Sequence, residues 1–173
     1  VDFFTTNRPD QARKLANTLE QLNARRQQLT DEIYSSALEK IHKAPDLLLE
    51  HQALVLLDPG WHPGVIGIIA SRLVDKLHKT VSLLTTSGNS ARGSARSIPG
   101  VPIASMIASQ DELLTAHGGH PMAAGLSLPL EKVSEFRRNL SNEINHELGD
   151  ELPQPTLNID AEIDFSKITI PFI

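Results

Sequence analysis

A chain of 173 residues, 40% hydrophobic and 21% charged, has the length and composition of one globular domain, which excludes disorder. It contains no cysteine, so a disulfide framework and a thiolate metal site are excluded, and no apolar run approaches the ~18 residues of a membrane span. A net charge of −5 excludes a general basic clamp, so any nucleic-acid contact must be a local patch or use residues from outside the chain.

The opening Val1-Asp2-Phe3-Phe4 is neither a basic leader nor an initiator methionine, which predicts a cytoplasmic chain cut from something longer. Residues 1–6 read as the end of a strand. Asn7 reads as an N-cap, with Pro9 and Asp10 in the first helical turn. From Asp10 to Lys43 there is no Gly or Pro, and Ala12, Leu15, Ala16, Leu19, Leu22, Leu29, Ile33, Ala37 and Ile41 recur at helical spacing. About 35 residues at 1.5 Å each predict a helix of about 50 Å, more than a small domain covers. One end is therefore expected to pack elsewhere, as a helix joining two domains does. Arg13, Lys14, Arg25 and Arg26 form its solvated face, and Pro45 ends it.

Residues 53–57 form a continuous apolar run with the length of a buried strand, and Asp58-Pro59-Gly60 is a turn. Pro63 fits a first helical position, followed by an inward face of Val65, Ile68, Ile69, Leu73 and Leu77. Trp61 and His62 sit where strand gives way to helix, a place where ligands collect in α/β folds. Trp61 equally fits a core cap, and His62 a hydrogen-bonding residue at the helix start. Residues 81–85 read as a second strand and Ser87-Gly88-Asn89 as its hairpin turn.

In the next strand, period 2 places Arg92, Ser94 and Arg96 on one face. Two planar forks of donors and a hydroxyl suit a phosphate or carboxylate; solvated arginines on an exposed strand suit the same pattern. After Pro99-Gly100, residues 101–116 read as a helix through Ile103, Met106, Ile107 and Leu114. The stretch from His117 to Gly125 holds three glycines and two histidines. Its N–H groups could converge on an anion; alternatively it is a tight turn into a buried strand at 123–128. Residues 131–148 form an amphipathic helix with Val133, Phe136, Leu140, Ile144 and Leu148 inward, and Gly149 follows as C-cap. Beyond Glu151 the composition shifts, and residues 156–163 and 168–173 read as extended segments opening a β-rich unit. The expected fold is α/β: a mixed sheet of about four to five strands flanked by helices and preceded by a long interdomain helix.

Three motifs at this spacing resemble the RecJ family, the single-strand-specific 5′-to-3′ exonucleases of bacteria. They are Trp61-His62-Pro63-Gly64-Val65-Ile66-Gly67 with Ala70-Ser71-Arg72-Leu73, then Gly93-Ser94-Ala95-Arg96-Ser97, then Gly118-Gly119-His120-Pro121-Met122-Ala123-Ala124-Gly125. Leu22-Asn23-Ala24-Arg25-Arg26-Gln27 also matches the family's interdomain helix. The glycine–histidine motif alone is shared by the wider DHH phosphoesterase superfamily; its combination with the tryptophan motif is more specific. No Asp-His-His triplet occurs here, and that motif carries the family's metal ligands. The resemblance therefore implies the end of a DHH catalytic domain at 1–6, a linker helix at 7–45, a DHH-associated substrate-binding domain at 50–150, and the start of an OB-type domain at 151–173.

By the same resemblance, the parent hydrolyses phosphodiesters of single-stranded DNA with two Mn²⁺ or Mg²⁺ ions held by the missing DHH domain. This chain would hold no metal and be inactive alone. Ser94 and Arg96 match residues at the 5′ phosphate, with Arg92 a looser match. Gly118, Gly119 and His120 match a loop facing the metal centre, where His120 would assist from the substrate side. Trp61 and His62 would shape the cleft. Two other readings stand beside this one: a DHH phosphodiesterase of short RNA or cyclic dinucleotides, and a non-catalytic nucleic-acid-binding module. An acidic chain with one Trp and one Tyr is poorly equipped to stack single strands unaided.

Overall fold

A computed structural model describes residues 1–149, 156–157, 159–165 and 168. The elements in chain order are α1 (Asp2–Thr5), α2 (Pro9–Lys43), α3 (Asp46–Leu49), β1 (Ala53–Leu57), α4 (Ile66–Leu77), β2 (Thr80–Ser87), β3 (Ser90–Arg96), α5 (Ile103–Ala108), β4 (Ala116–His120), β5 (Ala123–Pro129) and α6 (Val133–Leu148). The strands form one sheet in the order β1-β2-β3-β5-β4. β1 and β2 run parallel, as their α4 crossover requires, and the remaining pairs are antiparallel hairpin partners or neighbours. The mixed sheet flanked by helices is the expected architecture.

Two apolar layers hold it. On one face α5 and α6 pack Ile107, Phe136 and Leu140 against Val55, Leu84, Ala95 and Leu126. On the other, α4 and the last part of α2 pack Ile69, Leu73, Ile33 and Ala37 against Leu54, Leu56 and Leu83. β1 is buried from both sides, which accounts for its unbroken Ala-Leu-Val-Leu-Leu run. α4 covers β2 and β3. Beyond it on the same face, Ala116, Gly118, His120 and Gly125 are exposed. The buried residues of α2 begin at Thr30; towards its N-terminus Leu19 and Leu22 are exposed.

Several local expectations are corrected. Residues 2–5 form a helical turn, closed by Thr6 N–H donating to Asp2 O at 3.1 Å, and not a strand end. α2 has Arg8, not Asn7, at its N-cap; the Thr6 hydroxyl accepts the Arg8 N–H at 3.2 Å and donates to Gln11 Oε1 at 2.9 Å. α4 starts at Ile66, because Pro63 lies in a turn where His62 Nδ1 accepts the Gly64 N–H. Ile66 is buried, and Ile68, expected inward, is 38% exposed. The helix expected over 101–116 stops at Ala108. The Ser109 hydroxyl donates to Met106 O, turning the local hydrogen bonding away from the helix ladder, and Thr115 N–H joins the sheet at Ser127 O. Residues 116–120, expected as helix end and turn, are the edge strand β4, and the bend falls at Pro121-Met122. Of the extended segments expected over 156–163 and 168–173, the described residues carry no strand, and residues 158 and 169–173 lie outside the described part.

Candidate functional site

Strand alternation decides which side chains meet. Along β3, Ala91, Gly93 and Ala95 are buried, while Arg92, Ser94 and Arg96 face the α4 side. The register then builds three rows across β3, β5 and β4. Arg92 lies beside Ser127 and Ala116, Ser94 beside Gly125 and Gly118, and Arg96 beside Ala123 and His120. Arg96 and His120 thus share one row of one face, two strand spacings or about 10 Å apart along the sheet. The register brings the three candidates of β3 together with Gly118 and His120 of β4; the third β4 candidate, Gly119, is not among them.

The glycines divide by function. Gly119 points to the other face, at φ 154°, and a Cβ there would lie 2.3 Å from Ala123 O; the fold itself demands glycine. Gly118 has an ordinary negative φ, and a Cβ would meet nothing within 4 Å. Its cross-strand partner Gly125 is alike, with the nearest atom 3.8 Å away. Nothing inside the fold requires these two glycines, and a glycine within a strand costs stability. Together they leave bare main chain at the centre of the face.

A cleft of about 540 Å³ lies over this floor. Pro63 and Gly64 form its rim, and Arg92, Ser94, Gly118 and Ser127 line its base. Arg96 and His120 are not among the residues lining the cleft; Arg96 lies against α4 next to Gly67, and its Nη1 donates to Ala95 O at 2.8 Å. Among the described residues, the side chains of Arg92 and His120 have no hydrogen bond or ion pair, and no carboxylate pairs with Arg96. In a chain of net charge −5, two guanidiniums without a counter-ion on one face are an arrangement that can hold an oxyanion through charge-assisted hydrogen bonds.

The tryptophan lies elsewhere. Trp61 is buried, its indole N–H donates to Ser36 Oγ at 3.1 Å, and Lys40 Nζ stands 6.0 Å from the ring centroid. Lys40 also pairs with Asp58 at 2.9 Å. Burial pushes the Asp58 carboxyl up, but Lys40 and the Gly60 N–H together outweigh it and hold it below its ordinary value. Trp61 therefore fastens α2 to the domain and does not line the cleft. His62 is exposed and braces the rim through its bond to Gly64 at 3.1 Å. Sequence reasoning missed Gly125, Ser127 and Gly67 as members of this face. Gly125 stood inside a recognised motif, but only the strand register shows that it pairs with Gly118. Among the described residues, no three His, Asp or Glu side chains converge as a metal site.

The family model described as DHHA1 domain matches residues 50–146, more than half of the chain. The chain belongs to the DHHA1 family. This DHHA1 chain is 33% identical over 165 residues to the single-stranded-DNA-specific exonuclease RecJ of Bacillus subtilis, covering 94% of the chain and 21% of that protein. It is 32% identical over 168 residues to RecJ of Escherichia coli, covering 92% of the chain and 29% of the relative. A crystal structure of RecJ from Thermus thermophilus in complex with Mn²⁺ superposes with a TM-score of 0.72 at 31% identity, over 82% of this chain and 20% of that one. The DHHA1 chain thus spans less than a third of each of these proteins. Among the described residues, no helix is long and apolar enough to cross a membrane.

Proposed function

We propose that this chain is the substrate-binding portion of a RecJ-type exonuclease, a hydrolase that removes nucleotides 5′-to-3′ from single-stranded DNA. The reading rests on one observation above the rest: Arg92, Ser94 and Arg96 share one face of the sheet with Gly118 and His120, and no carboxylate among the described residues neutralises them. On this reading Ser94 and Arg96 take the terminal 5′ phosphate, and Arg92 takes the backbone of the following nucleotide. The bare Gly118–Gly125 pair lets the strand approach the main chain. His120 assists from the substrate side by donating to the scissile phosphate. Residues 7–45 then link this domain to a DHH catalytic domain, of which residues 1–6 are the end, and residues 151–173 open an OB-type domain.

Relatives of known structure carry Mn²⁺ or Mg²⁺. When bound, such ions activate water and stabilise the leaving oxygen. On this reading those ions belong to a catalytic domain outside this chain, and the chain's own part is to hold and orient the phosphate.

Two measurements test the proposal. The isolated chain should release no nucleotide from single-stranded DNA with Mn²⁺; steady metal-dependent release would overturn the assignment of catalysis to another domain. In the full-length protein, Arg96→Ala should lower kcat/KM on a 5′-phosphorylated single strand by about tenfold or more, the cost of a lost charge-assisted bond at roughly 1.5–3 kcal/mol. An unchanged value removes Arg96 from the site.

A further inference from the structure

Gly67 is the second residue of α4, and its backbone is not left-handed. Alanine holds helical backbone better than glycine, so the residue weakens the helix it belongs to. What it spares is local and specific. A Cβ built at Gly67 would lie 3.0 Å from Arg96 Nη2, 3.4 Å from Ser94 Oγ and 3.6 Å from Arg96 Cζ, and these are its nearest neighbours. α4 cannot back away, because Ile66, Ile69 and Leu73 beside this contact are buried in the core against Leu54, Val81 and Leu83. The part free to yield is the far end of the Arg96 side chain. A methyl group at 67 would therefore displace the guanidinium fork and leave the backbone in place.

We propose that Gly67 is a positioning residue: its missing side chain sets the Arg96 guanidinium and the Ser94 hydroxyl in the geometry that receives a terminal phosphate. The inference rests on the reading of Arg96 and Ser94 as phosphate ligands given above. Gly67 itself touches no ligand; it acts through Arg96. A fork that offers two parallel donors is sensitive to a shift of a few tenths of an ångström, whereas the apolar core beneath α4 does not sense it.

The test uses the full-length protein and a 5′-phosphorylated oligodeoxythymidylate. Gly67→Ala should leave the melting temperature unchanged or raise it, and should raise KM about three- to tenfold with kcat within about twofold, since the displaced contact is held equally in ground and transition states. Arg96→Ala should raise KM further, and adding Gly67→Ala to it should change nothing more, because the group it displaces is gone. If Arg96→Ala leaves the kinetics unchanged, the phosphate-site reading fails. If Arg96→Ala acts but Gly67→Ala does not, or their effects multiply, the positioning role fails. Should Gly67→Ala lower the melting temperature, the Arg96→Lys background decides. Lysine has no Nη2 to displace, so there alanine at 67 should change KM by less than about twofold; an equal rise in both backgrounds overturns the proposal.

Discussion

The two ends of one sheet are built on opposite terms. β1 at one edge is Ala-Leu-Val-Leu-Leu, with helices on both faces and four of five residues buried. β4 at the other edge is Ala-His-Gly-Gly-His, and every residue is exposed. The first strand is what hydrophobic burial selects. The second has weak strand propensity and two glycines, only one of which the backbone requires. A strand that contributes so little to its own stability is held by its neighbour β5, whose Ala124, Leu126 and Leu128 reach the core. The difference separates residues that hold the sheet from residues that the sheet displays.

That contrast can be broken most severely at the covered end. Phe136 is fully buried against the sheet, and Phe136→Ala should cost about 3–5 kcal/mol in chemical denaturation, through lost transfer energy and a cavity. A loss below about 1 kcal/mol would mean that this layer is not the core. Next come the adjacent glycines of β4. Gly119→Ala forces a Cβ into Ala123 O at a left-handed φ and should cost about 2–3 kcal/mol. Gly118→Ala enters open space and should stabilise by up to about 1 kcal/mol, while weakening the binding of a single strand by the full-length protein. Equal stability effects at the two positions would erase the distinction between fold glycine and display glycine.

The smallest effect concerns the fastening of α2. The folded-state carboxyl of Asp58 lies below its ordinary 3.8, despite the upward push of burial, because Lys40 and the Gly60 N–H favour the anion. Its contribution to stability is therefore present above pH 3.8 and disappears as the pH falls through the lower folded value. The pair is partly exposed, so Asp58→Asn should cost less than about 1 kcal/mol at pH 6, and the difference from the unaltered chain should shrink progressively as the pH is lowered below 3.8. Urea midpoints at about pH 6 and along an acid series measure it; a difference that does not shrink in acid would assign the effect to packing.

Much of the fold was legible because its signals are local. Residues 53–57 matched a buried strand, residues 90–96 a half-exposed one, and residues 9–43 a single helix, since apolar period and the placement of Gly and Pro act within a few residues. The failures were also local. Residues 101–116 carry a helical pattern that Ser109 and the pull of β5 cut short, and Pro63 matched a helix start that the His62–Gly64 turn moved to Ile66.

The site divides in the same way. Period 2 alone determined that Arg92, Ser94 and Arg96 share a face, because alternation is a property of one extended chain. That Gly118 and His120 lie on that same face, that Gly125 completes the bare row, that Trp61 turns away to hold Ser36, and that Gly67 leaves room beside Arg96 were decided by register and helix docking. Most of those relations join residues far apart along the chain, as Trp61 and Ser36 are, or depend on which side of the sheet a helix covers. No single segment encodes them; they exist only once the hydrophobic layers have set the distances.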